Sequence, residues 1–206
     1  MKRILAWGII LLSIQVFSQD LKTIKLKDPD IKRGLPVMEA LSKRKSSTDF
    51  LDKELEIQDL SDLLWAANGV NRTDGKRTAP SSLNTQDVDI YICFKEGIYL
   101  YNAQNKELEP IAKGDYRHLI HGETGPCILI LVADKSKYPP SFKKEDILEW
   151  NKIDVGIVSQ NISVFCAGTG LATRPRAGMD RVELHKILKL KASQHILLNH
   201  PVGYPR

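Results

Sequence analysis

Residues 126–134, PCILILVAD, decide how the rest of the chain is read. Seven apolar residues run from Cys127 to Ala133 without a polar break, between Pro126 and Asp134. A run of that length and composition is the signature of a strand buried on both faces. Its partner is the last apolar run, HILLNHPVGYP at 195–205. Upstream, DVDIYICF (87–94) alternates in part, KEG turns it, and IYLYN (98–102) returns as a hairpin. KELEPIAKGD (106–115) adds an edge strand, since Pro110 has no N–H to give to a central ladder.

Helical patterns flank these strands. One helix begins at Pro36 and ends near the basic KRK at 43–45. A second carries Leu60, Leu63, Leu64 and Ala67 at helical spacing, with Gly69 as its stop. DYRHLIHGE (115–123) reads as a short helix. A long helix from about Glu145 to Gly168 is apolar nearly all round, which places it centrally and makes it a candidate subunit interface. Asp180 with Glu183 three residues on is a capping pattern before LHKILKL. The fold class expected is α+β: a central, mostly antiparallel sheet surrounded by helices, one of them long and buried.

The N-terminus stands apart. Lys2 and Arg3 precede a short apolar run, Ile4 to Ile14, and small Ser18 precedes a cleavage point, so residues 1–18 read as a signal peptide; a retained anchor helix is the alternative. The mature chain is then exported, periplasmic or secreted. Residues 19–35, broken by Pro29 and Gly34, form an N-terminal extended arm, and 36–206 form the folded domain. Composition is ordinary for a globular chain of 206 residues, 42% hydrophobic and 27% charged. The net charge of +5 is too mild and too scattered for a nucleic-acid surface, but it suits a small anionic ligand. Cys93, Cys127 and Cys166 sit inside apolar runs and read as buried thiols, with a single disulfide as the other option.

No nucleotide-binding glycine motif, zinc-protease helix or serine-hydrolase elbow occurs. His118 and His121 lack a third ligand, so no metal site is expected. Asp87 and Asp89, at a strand start, read as solvated. What remains is three polar stations. Arg44, Lys45 and Ser46 could meet a phosphate and a polyol, or could be a solvated helix end. Pro80, Ser81, Ser82 and Asn84 offer amide and hydroxyl groups ahead of a strand, or form a plain turn. Around Ala177 and Gly178 the backbone is open to a ligand, or merely joins two helices.

Their order carries more than any of them alone. Basic-basic-Ser is followed by W-A-A-N-G, P-S-S-x-N-x-Q, G-I-Y-L-Y-N, a long helix with Q-N-I, G-L-A-T-R-P-x-A-G-M-D and P-V-G-Y-P. This succession, over residues 36–206, resembles the FMN-dependent nitroreductase family, closest to its branch of azoline-oxidising dehydrogenases of peptide natural-product synthesis. The resemblance implies a nitroreductase-like fold and an intertwined homodimer with its site between two subunits. It implies FMN held by Arg44, Lys45 and Ser46 at the phosphate and ribityl chain. Pro80, Ser81, Ser82 and Asn84 would line the ring, and the N–H groups of Ala177 and Gly178 would approach its N5 and O4. NAD(P)H is the family's usual donor and the candidate here. The implied reaction moves two electrons to or from a nitro compound, quinone or azoline ring. A flavin- or ligand-carrying protein without turnover is the alternative. No side chain is assigned as catalytic, because the cofactor carries the chemistry. The chain departs from the family at Thr48, where a second basic residue is common, and at Ala177, where many relatives are acidic. Its C-terminus offers only Arg206 to the phosphate.

Overall fold

In a computed structural model, residues 20–122 and 125–206 are described; residues 1–18, expected from the sequence to be a signal peptide, lie outside them. Seven strands form one sheet in the order β1-β4-β3-β2-β5-β7-β6. They are β1 (Ile24–Lys25), β2 (Val88–Cys93), β3 (Gly97–Asn102), β4 (Glu107–Lys113), β5 (Cys127–Asp134), β6 (Ala172–Thr173) and β7 (Gln194–Gly203). Every pairing is antiparallel. The helices are α1 (Val37–Lys43), α2 (Ile57–Asn68), α3 (Lys144–Thr169) and α4 (Arg181–Ile187).

β5 is buried along its whole length between β2 and β7, as its composition requires. Its side chains alternate between two cores. Leu129 and Leu131 face Leu60, Leu63 and Leu64 of α2 and Val155, Val158 and Ile162 of α3. Ile128, Ile130 and Val132 face Leu184 of α4, with Leu188 and Met179. Each fully buried Leu or Ile contributes about 1.5–3 kcal/mol, so this strand is the backbone of the fold's stability. Pro110 lies on the stretch of β4 that β1 does not cover, beside a register shift between Ile98 and Tyr99. That is where a strand tolerates a residue without an N–H.

The arm is extended and tied down. β1 pairs with β4, and Arg33 bridges Asp59 and Asp62 of α2, 2.7 Å from each. Gly34, at φ 94, turns the chain so that the Leu35 N–H reaches the carbonyl of Gly168 at the end of α3, 2.9 Å away. α3 itself ends at Gly170, left-handed at φ 79. The three cysteines are buried and free. Burial pushes the Cys93 thiol up to about 12, so it behaves as a small hydrophobe.

Beneath α3 lies one buried polar contact that fixes a tautomer. Thr173 Oγ1 donates to the carbonyl of Pro201 (2.9 Å), so it accepts from Nδ1 of His200 (3.2 Å). Nε2 is then the acceptor for the Ser159 hydroxyl at 2.7 Å. Burial holds His200 neutral by lowering its pKa to about 3.

Candidate functional site

After α1 the chain runs extended beside the C-terminus. The Ser47 N–H donates to the carbonyl of Thr173 (2.9 Å), and Phe50 is bridged to Pro205. Lys45 and Arg206 share a cleft of about 270 Å³ with Lys43, Ser47 and Asp49, floored by the end of α3. Arg44 and Ser46 do not line it; they are exposed beside it. Two of the four cations are already engaged: Lys43 pairs with Glu39 (2.9 Å) and Arg206 with Asp49 (3.1 Å). Among the described residues, Arg44 and Lys45 make no ion pair. They are the cations left for an anionic ligand.

The 177–178 connection crosses the sheet next to β7. Arg176 and Asn199 exchange backbone bonds of 2.9 and 2.8 Å, and the Gly178 carbonyl accepts from the His121 N–H at 3.3 Å. The N–H groups of Ala177 and Gly178 donate to no described protein acceptor, and both residues are exposed. A Cβ at Gly178 would meet only His121, at an ordinary 3.5 Å. Two free donors on an open backbone suit a planar acceptor-rich ring edge.

The Pro80–Asn84 loop lies elsewhere on the molecule. Leu83, Asn84 and Gln86 hold φ of 55, 54 and 50, and none is glycine. Each such left-handed residue costs about 1–2 kcal/mol, so the loop survives only because its surroundings fix it. Ser82 supplies the fixing: its N–H donates to Oδ2 of Asp154 on α3 at 2.9 Å, and its hydroxyl donates to Oδ1 at 3.1 Å. Ser81 Oγ accepts from the Gln86 N–H (2.8 Å), which leaves its proton free. Pro80, Leu83 and Asn84 are exposed. Both donors of Ser82 are therefore committed within the protein, and Asn84 and Ser81 are the donors the loop still offers.

Asp154 and Asp87 were not visible as site residues in the sequence. Asp87 is not solvated, as its position before β2 suggested: it is fully buried, and burial followed by the charge of Asp154 raises its pKa to about 7. The usable signal was on α3, where Asn151 and Asp154 fall on the same buried stripe as Ile147, Val155, Val158 and Ile162. Asp89 is half-buried, and its carboxyl is also raised by burial. No cluster able to hold a metal ion exists among the described residues.

The basic station and the loop are held by opposite parts of α3. Twelve residues separate Asp154 from Cys166, about 18 Å of helix axis. The arrangement is a buried helix laid across an antiparallel sheet, with donor-rich openings toward either end, an α+β scaffold. Residues 41–204 match the model of the nitroreductase family, and the chain belongs to that family. A Ralstonia eutropha protein assigned as a nitroreductase superposes with a TM-score of 0.84 at 29% identity, covering 89% of this chain and 90% of that one. A Methanocaldococcus jannaschii protein assigned to the nitroreductases is 26% identical over 195 residues, 88% of this chain and 96% of its own. A chain of the Escherichia coli microcin synthetase McbBCD complex, solved with truncated pro-MccB17, shares the fold with a TM-score of 0.71 at 17% identity, over 99% of this chain and 85% of that one. Membership of the family places the chain among oxidoreductases.

Proposed function

We propose that the chain is an exported FMN-dependent oxidoreductase that works as a homodimer. Its reaction moves two electrons to or from a small organic molecule such as a nitro compound, quinone or azoline ring, with NAD(P)H as candidate donor. The observation that carries this reading is the set of uncommitted donors: unpaired Arg44 and Lys45, and the free N–H groups of Ala177 and Gly178. A phosphate dianion fits the two cations, with Ser46 at the adjoining polyol. The two N–H groups fit the ring edge, where oriented donors favour charge that builds on reduction. Bound FMN would supply the redox chemistry itself, so the protein needs to bind, orient and exclude water.

A second copy of the chain supports this arrangement. Ile153, Gly156 and Gln160 form an exposed stripe on α3, and Val37, Met38 and Leu41 are exposed on α1, which packs beside it. Among the described residues nothing lies within 4 Å of where a Gly156 Cβ would be, so another helix can approach closely there. A twofold copy running antiparallel along α3 would bring the Pro80–Asn84 loop of one subunit to the basic station of the other.

The test is reduction of the FMN-loaded protein with dithionite, followed by reoxidation with nitroaromatic, quinone and azole acceptors or products. Reoxidation by one class well above the rate of free FMN supports an enzyme. Reoxidation at the free-FMN rate by all of them would leave a carrier.

A further inference from the structure

The strained loop and the buried carboxylates beneath it form one device. Asp154 sits on α3 at 2% exposure and accepts three hydrogen bonds, from the Ser82 N–H and hydroxyl and from the Tyr138 hydroxyl at 3.0 Å, with the Asp87 carboxyl close enough to feel its charge. Asp87, at 0% exposure, in turn accepts from Asn151 Nδ2, and Thr85 Oγ1 lies 3.4 Å from its Oδ1. The groups facing the pair are thus Ser82 and Thr85 from the loop, Asn151 from α3 and Tyr138 from the segment after β5. Among the described residues no lysine, arginine or histidine forms an ion pair with either carboxylate.

A buried carboxyl set beside the charge of a second one, with no counter-ion among the described residues, is held in its protonated form, and here that carboxyl is Asp87. We propose that Asp154 is a positioning residue that holds the Ser81–Gln86 loop in its left-handed conformation, so that Asn84 and Ser81 are presented to the flavin, and that the proton carried by the neighbouring buried Asp87 makes this hold depend on pH. The proposal rests on the flavin reading above. Loss of that proton puts a second negative charge beside Asp154, and the strained loop with its two bonds from Ser82 is the part that yields. The raised carboxyl of Asp87, at about 7, puts the change in the neutral range. As pH rises through that value the loop loosens and flavin binds less tightly; as pH falls the loop is locked.

Two readouts on the same full-length protein test this. The first is amide exchange of Ser82 in flavin-free protein, corrected for the intrinsic pH dependence of exchange. The second is FMN affinity by fluorescence quenching from pH 6 to 9. Asp87→Asn keeps a polar side chain of the same size beside Asp154 without a titrating proton, and pH effects on FMN itself cancel against it. The expected result is that Ser82 protection in the unsubstituted chain falls about tenfold or more between pH 7 and 9 and FMN affinity falls with it. In Asp87→Asn both stay flat. Ser82 protection that is independent of pH in the unsubstituted chain overturns the proposal. So does a loop that loosens while FMN affinity holds, which leaves the flavin reading intact. Absence of FMN binding even at pH 6, with Ser82 protected, overturns the flavin reading, and the presenting role falls with it.

Discussion

Replacing Asp87 by Asn should change how stability responds to pH, and the size follows from two buried groups of opposite sense. Asp87 has its folded pKa raised to about 7 from an ordinary value near 3.8, so the folded chain keeps a proton that the unfolded chain gives up. Stability from this group is present below about pH 4 and is lost as pH rises to about 7. His200 is the reverse, lowered to about 3 from 6.5, so its stability is present above about pH 6.5 and is lost as pH falls toward 3. Between pH 4 and 6.5 folding takes up one proton at Asp87 and releases one at His200, and the two slopes cancel. Asp87→Asn removes one of them. Unfolding free energy of the variant then rises with pH by about 1.4 kcal/mol per unit relative to the unsubstituted chain, about 3 kcal/mol across the window. At this chain length that is a relative gain of about 6–12 °C in Tm. Urea titrations of both proteins at half-unit pH steps measure it directly, since other titrating groups are common to the two. Curves that stay parallel from pH 4 to 6.5 would refute the claim that Asp87 is buried with its proton.

Three further outcomes are expected. Ser159→Ala leaves Nε2 of the buried His200 without its 2.7 Å donor and should cost about 1–3 kcal/mol in urea unfolding at pH 7, with no change in flavin content. Ile153→Asp, at a residue 58% exposed on α3, should leave the fold intact but shift the species seen by light scattering from dimer to monomer. Arg44→Ala with Lys45→Ala removes the two cations of the basic station that make no ion pair among the described residues, and should weaken FMN binding at least tenfold while riboflavin, which has no phosphate, is affected far less.

Much of the architecture was legible because burial leaves its pattern in the sequence. The unbroken run of β5, the near-all-round apolar helix α3 and Pro110 on an uncovered stretch of β4 each follow from a local rule. The Asp180 cap is equally direct, its side chain accepting from the Glu183 N–H at 3.0 Å. The arm was readable as extended, but its pairing with β4 was not, because two-residue β1 carries no periodicity. At the candidate site, the three stations were singled out by residue type and order. Their internal commitments were not: that Ser82 spends both donors on Asp154, or that Arg206 is held by Asp49, depends on contacts between residues far apart in the chain. Asp87 was misread for the same reason. A lone carboxylate before a strand looks solvated until the helix that covers it is known.

The most direct test of the account is the visible absorption spectrum of the purified chain after incubation with FMN and removal of excess cofactor. The account predicts the bands of oxidised, protein-bound flavin at one FMN per subunit, lost from the variant lacking Arg44 and Lys45. A colourless protein whose melting temperature excess FMN does not raise would contradict it.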